Sequence, residues 1–126
     1  MLTVDLASAL LSAGLLWTPR QGDRFVLPGR GMDEDVFWLS DMTVEVHELP
    51  RGRVVGFNGT TEWALDSVRV EDALWLPREE QLRAVLGDRF ARLEPAWTVE
   101  LADGSRHCDP DAECAYGLAV LAVLSA

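Results

Sequence analysis

The sequence predicts an α+β domain: three helices on one face of an antiparallel sheet of about five to seven strands, a meander of hairpins in the order α-β-β-β-β-α-β-β-α. Three observations carry this reading. Apolar residues recur at helical spacing near the start, before Gly87 and at the end of the chain. Between them, Met42, Val44 and Val46 alternate with Thr43, Glu45 and His47, and Trp97, Val99 and Leu101 alternate likewise, the period of a half-buried strand. Asn58-Gly59 and Asp103-Gly104 then supply hairpin turns, because both tolerate positive φ. No repeat, low-complexity tract or linker interrupts the 126 residues, so one domain, 1–126, is expected.

The first helix spans about Val4 to Ala13. Thr3 can cap it, Asp5 favours its positive end, Gly14 can stop it, and Leu6, Leu10 and Ala13 share a face. Phe25-Val26-Leu27 reads as a short strand closed by Pro28-Gly29. Val36 to Leu39 is apolar on both faces: an earlier strand, or the next one before a bend at Ser40-Asp41. "LPRGRVV" signals a hairpin in which Gly52 can take positive φ, with the register of 42–57 left open. A two-residue turn at Asn58-Gly59 would pair Phe57 with Thr60, Val55 with Glu62 and Val54 with Trp63. The second helix has Pro77 at its first position, Glu79 and Glu80 in its first turn, an apolar stripe of Leu82, Val85 and Leu86, and Gly87 as its stop. In the last helix Asp109 caps, Pro110 opens, and Asp111 and Glu113 lie in the first turn. Beyond Glu113 this helix is apolar nearly all round, which suits burial or sharing with a second subunit.

Composition excludes several functions. With 21 acidic and 11 basic residues the net charge is −10, the wrong sign for nucleic acid or an anionic membrane, and one that suits a basic partner. Every basic residue is arginine, so Schiff-base, Ser-Lys and P-loop lysine chemistry are absent. "MLTVDLASALLSAGLLW" has Asp5 where a secretory signal carries positive charge, and "CAYGLAVLAVLSA" is too short to cross a bilayer. A cytoplasmic protein without membrane insertion is expected, with Cys108 and Cys114 as free thiols.

Candidate chemistry weighs against catalysis. Asn58-Gly59-Thr60 matches a glycosylation acceptor, but the turn accounts for it. His47, His107, Cys108 and Cys114 could ligate zinc, yet no C-x₂-C pair occurs and neighbours on a strand diverge. Asp109, Asp111 and Glu113 resemble the start of a calcium loop, but Cys114 and Val120 stand where Gly and Glu are needed. No G-x-S-x-G nucleophile elbow is present. Asp111 and Glu113 oppose a reactive thiolate at Cys114. Met32-Asp33-Glu34-Asp35, with Asp41 beyond, is the densest acidic cluster and reads as a solvated loop. Of the five tryptophans, most should pack in the core, with Trp17 and Trp75 partly exposed. No catalytic, cofactor or metal residues are assigned.

"SDMTVEVHELPRGRVVGFNGTTEWALDSV" and "ALWLPREEQLRAVLGDRF", with "GLLWTPRQGDRFVLP" and "DAECAYGLAVLAVL", resemble a family of small single-domain proteins of unknown function from GC-rich bacteria. Some members carry the label "pilus assembly protein". The resemblance covers almost the whole chain and implies no catalytic residues. The expected function is therefore a non-catalytic interaction or adaptor module. It would bind a basic partner protein through Asp33, Glu34, Asp35, Asp41, Trp17 and Trp75, and self-associate through the last helix. The alternative is a small ligand-binding or hydrolase-like domain whose site joins distant acids, Arg24 or Arg53, and His47.

Overall fold

In the computed structural model, residues 1–29, 32–39, 44–49, 52–57 and 67–126 are described. They form an α+β protein with three α-helices and antiparallel strands, as the sequence patterning predicts. The single larger sheet does not occur among the described residues. The strands divide instead into three sheets of three, in the spatial orders β2 (Met32–Trp38), β1 (Arg24–Leu27), β6 (Leu74–Trp75); β3 (Val44–Leu49), β4 (Gly52–Phe57), β5 (Ser67–Arg69); and β7 (Phe90–Glu94), β8 (Thr98–Leu101), β9 (Arg106–Cys108). The chain gathers into two compact units, one of residues 1–16 and 76–126, the other Trp17–Trp75.

The first unit is built around its last helix. α1 (Val4–Ser12) starts at Thr3, whose Oγ1 accepts from the Leu6 N–H, and ends before Gly14 at φ +106°. α2 (Glu79–Leu86) buries Leu82 and Leu86 and ends at Gly87, φ +54°. Its N-cap is Arg78, so Pro77 stands just outside the first helical position predicted for it; Gln81 Oε1 turns back to accept from the Arg78 N–H. α3 (Ala112–Leu124) begins two residues later than expected. Asp111, not Asp109, caps it by accepting from the Cys114 N–H, while Asp109 accepts from the Asp111 N–H in a preceding turn.

The composition of α3 follows from its position. It packs against α1, α2 and two strands, β8 (Thr98–Leu101) and β9 (Arg106–Cys108), so Cys114–Gly117, Ala119 and Val120 are all buried. A helix covered on several sides needs no polar stripe. Gly117 permits the closest approach: a Cβ there would lie 2.8 Å from Leu6 Cδ2 and 2.9 Å from Leu2 Cδ1.

β7 (Phe90–Glu94) is a strand that the sequence reading missed; it pairs with β8, and β8 pairs with β9. The predicted turn at Asp103-Gly104 joins β8 to β9, with Gly104 at φ +88°. Val99 and Leu101 are buried, but Trp97 does not continue their alternation. It lies in the β7–β8 turn, 47% exposed at φ +49°, beside Ala96 at φ +64°. On this sheet Arg92, Glu100 and Arg106 meet across the three strands, Arg92 Nη2 standing 2.6 Å from Glu100 Oε2, and Glu94 pairs with both arginines.

In the second unit β1 (Arg24–Leu27) is the central strand, buried along its length, between β2 (Met32–Trp38) and the short β6 (Leu74–Trp75). Its core joins Trp17, Phe25, Leu27, Leu39, Val70 and Ala73, with Phe37 and Trp75 packed on it. β3 (Val44–Leu49) and β4 (Gly52–Phe57) form the hairpin left open in register by the sequence: Val44 pairs with Phe57, and Leu49 with Gly52. Gly52 thus opens a strand.

β4 then pairs with β5 (Ser67–Arg69): Val54 faces Arg69, and Val55 faces Val68. Val54 and Val55 thus have partners other than the expected Trp63 and Glu62, which lie outside the described residues. Turn propensity is worth about 1 kcal/mol or less, and this register carries the chain from Arg69 directly into the buried Val70 and Ala73. Asn58-Gly59 itself lies outside the described residues.

Candidate functional site

The acidic run expected as a loop is part of β2: Met32 pairs with Leu27, and Phe37 with Phe25. A run of acids is compatible with a strand here because, among the described residues, β2 stands at the edge of its sheet. Asp35 is exposed on that strand. At its end Trp38 is 58% exposed, paired with Arg24, whose guanidinium carbon stands 5.7 Å from the indole centroid.

The two tryptophans proposed for the partner surface are placed differently. Trp17 is buried at 5%, and its Nε1–H donates to Asp23 Oδ2 at 2.9 Å. Its apolar body stacks near Phe25, with 5.4 Å between ring centroids, which removes it from any partner surface. Trp75 is half-buried opposite Phe25, and its indole N–H is buried without an acceptor. Asp41 lies outside the described residues. Among the described residues the exposed tryptophans are Trp38 and Trp97. Sequence alone gave no sign of this, because Trp38 sits in an apolar run and Trp97 continues an alternation.

The residues named for the alternative site fall in two different sheets. Arg24 is buried in β1, whereas His47 and Arg53 occupy neighbouring rungs of another sheet, opposite Val54 and Glu48. Among the described residues no three His, Cys, Asp or Glu side chains converge to hold a metal ion. Cys108 is exposed, and Cys114 is buried. Burial pushes the Cys114 thiol upward, and nearby Asp111 and Asp109 push the same way, so it stays protonated and unreactive near neutrality.

A cleft of about 410 Å³ opens where the β8–β9 turn meets the C-terminal end of α3. Leu101, Ala102, Ala122 and Val123 give it apolar walls, and Arg89, Asp103 and Ser105 are its polar lining. The turn sets this geometry. Asp103 Oδ1 accepts from the Ser105 N–H at 2.8 Å, and Ser105 Oγ lies 3.2 Å from His107 Nε2. Hydrogen bonds from the Ser105 hydroxyl and amide hold the Asp103 carboxyl below its usual range, with His107 adding a smaller effect.

Ser105 and His107 are two residues apart on the strand side of a hairpin, a spacing that places alternate residues on one face. That was the available signal for the pair. Ser105 Oγ is shared between His107 Nε2 and the Asp103 carboxyl, so all three side chains belong to one turn network.

Family models, curated proteins and solved structures contain no match to this chain.

Proposed function

We propose that the protein is a small, acidic, non-catalytic interaction module that binds a basic segment of a partner protein along β2. The observation that carries this reading is the 58% exposure of Trp38 on an edge strand. Such a strand has a row of backbone donors and acceptors directed away from its sheet, and an extended segment can add to it as a further strand. Asp33, Glu34 and Asp35 lie in the same strand and match a basic segment in charge. The indole of Trp38 already lies near one guanidinium, so its ring suits a second, from the partner. The net charge of −10 favours rapid encounter with such a partner.

Trp38 and Asp35 are the exposed residues of this surface, with Asp33 and Glu34 in the same strand; Trp17 does not belong to it. No helix among the described residues is long and apolar enough to cross a membrane. Self-association through α3 would have to use its last turn, because the preceding turns are buried within its own unit.

The test uses a defined probe: a ten-residue peptide alternating arginine and valine, beside its glutamate–valine counterpart. Hydrogen exchange should show protection of β2 amides by the basic peptide only. Affinity should fall steeply between about 50 and 500 mM salt, and Trp38→Ala should weaken it about tenfold or more. Equal binding of the acidic peptide, salt-indifferent binding, or protection elsewhere with β2 unchanged would refute the reading.

A further inference from the structure

The cleft beside the β8–β9 turn has a charge pattern that folding alone does not require. Elsewhere in the same unit, arginines are satisfied: Arg78 pairs with Glu80, Arg92 with Glu100, and Arg106 with Glu94, while Arg83 lies 4.3 Å from the Phe90 ring centroid. Arg89 lines the cleft and makes no ion pair among the described residues. Asp103 lines the same cleft, and the two do not pair with each other. A protein with 21 acidic and 11 basic residues would ordinarily neutralise an arginine with one of its own acids.

Leu101, Ala102, Ala122 and Val123 supply apolar walls, and Ser105 and Ala126 complete the lining. A cleft of about 410 Å³ falls within the usual range for small-molecule sites, where apolar walls supply contact area and a few polar groups fix orientation. The two charges are anchored independently of one another. Arg89 follows the end of α2, and its carbonyl accepts from the Ala102 N–H at 2.7 Å. Asp103 is set by the Ser105 N–H within the turn. The Asp103 carboxylate and the Arg89 backbone are thus set before any ligand arrives, which lowers the ordering cost of binding on the Asp103 side.

We infer that this cleft binds a small zwitterion with an apolar body, of the α-amino-acid class, with its carboxylate on Arg89, its ammonium on Asp103 and its apolar side chain against Leu101, Ala122 and Val123. Both ends matter. A lone carboxylate would meet Asp103 as a like charge, and a lone amine would meet Arg89. Ser105 and His107 support Asp103 and take no chemical step. This inference is independent of partner binding at β2, which lies in the other unit.

The experiment records ¹⁵N spectra of the full chain titrated with L-leucine, with 4-methylpentanoate, which lacks the amine, and with isopentylamine, which lacks the carboxylate. L-Leucine should produce saturable shifts at amides 101–105 and 122–123, with a Kd in the millimolar range or tighter. Each single-charge analogue should bind at least about tenfold more weakly, the loss expected when one charged group is left without its partner. Arg89→Gln and Asp103→Asn should each cause a similar loss for L-leucine while the protein stays folded, since both side chains are exposed and the amide oxygen introduced by Asp103→Asn can still accept from the Ser105 N–H. Lack of saturation by about 10 mM L-leucine, equal affinity for either analogue, or full affinity in a folded Arg89→Gln variant would overturn the assignment. If either variant fails to fold, the comparison of the three ligands on the unmodified protein decides the matter.

Discussion

Replacing Asp23 by alanine should destabilise the second unit more than any single change at its surface. Asp23 is 1% exposed, and its Oδ2 accepts from Trp17 Nε1–H and from the Arg20 N–H, both at 2.9 Å. A carboxylate acceptor makes each of these a charge-assisted bond, worth about 1.5–3 kcal/mol. Truncation removes the acceptor that the Trp17 Nε1–H uses inside a site where the residue is 5% exposed, a penalty of about 1–3 kcal/mol. The Arg20 amide is only partly buried and can recruit water, which lowers its share. The sum is about 3–4 kcal/mol, a large fraction of the 5–15 kcal/mol typical of a whole domain. Because the chain has two compact units, the assay should be local: hydrogen exchange of the Phe25–Leu27 amides, read as opening free energies. Trp17→Phe keeps a ring near Phe25 and removes only the donor, so it should cost about 1–2 kcal/mol. The Trp17→Phe/Asp23→Ala double variant should then cost about 1 kcal/mol less than the sum of the singles, since the bond can be lost only once. A loss below about 1 kcal/mol for Asp23→Ala, or strict additivity in the double variant, would show that this carboxylate does not hold the unit together.

Gly117→Val should destabilise the first unit by about 1–3 kcal/mol in a thermal melt, because its branches would meet Leu2 and Leu6 where even a Cβ has only 2.8–2.9 Å. Ala96→Gly should raise stability by about 0.5–1 kcal/mol by relieving a non-glycine residue at φ +64°; an unchanged melting temperature would refute that strain. Glu100→Gln should cost about 1 kcal/mol at low salt and less at 1 M salt, because Glu100 lies between Arg92 and Arg106 across the sheet. The N-terminal ammonium pairs with Asp111, whose hydrogen bond raises the amine above 8.0 and whose own carboxyl is lowered below 3.8. The amine's contribution is complete below about pH 8 and is lost as pH rises through its raised folded value; that of Asp111 is present above about pH 4 and is lost as pH falls through its lowered folded value. The stability profile should therefore have a plateau between these limits that acetylation of Met1 lowers by about 0.5 kcal/mol, a small amount because the groups are 48% and 37% exposed.

Helix ends were legible in the sequence because they are decided locally. Thr3, Gly14, Gly87 and Gly104 each act within a few residues of their position, and each is found at the predicted cap or turn. Asp111 replaces Asp109 as cap because two aspartates straddle Pro110, and either can start a helix. Sheet organisation was less legible because it depends on competition between distant segments. β7 has exposed or half-exposed residues throughout and is held by charge pairing across strands, so it gives little apolar alternation to read. The β4–β5 register has the same origin: Val54 and Val55 pair with Arg69 and Val68, a strand that leads directly into the buried Val70 and Ala73.

The candidate sites sharpen this distinction. Composition treats the five tryptophans alike, yet their exposure is set by register and turn placement. Trp17 gains an internal acceptor in Asp23 and is buried; Trp38 lies at the end of an edge strand; Trp97 is left exposed where β7 turns back into β8. Arg89 and Asp103 are likewise unremarkable in sequence, each one charge among many, and acquire meaning only because both line an apolar cleft without neutralising each other. Polar residues that build turns can therefore also define a site. Asp103 and Ser105 close the β8–β9 turn through one set of hydrogen bonds, and that same closure fixes a carboxylate at the mouth of the cleft. Asp103→Asn separates the two roles, since an amide oxygen can still accept from the Ser105 N–H while the charge offered to an ammonium is gone.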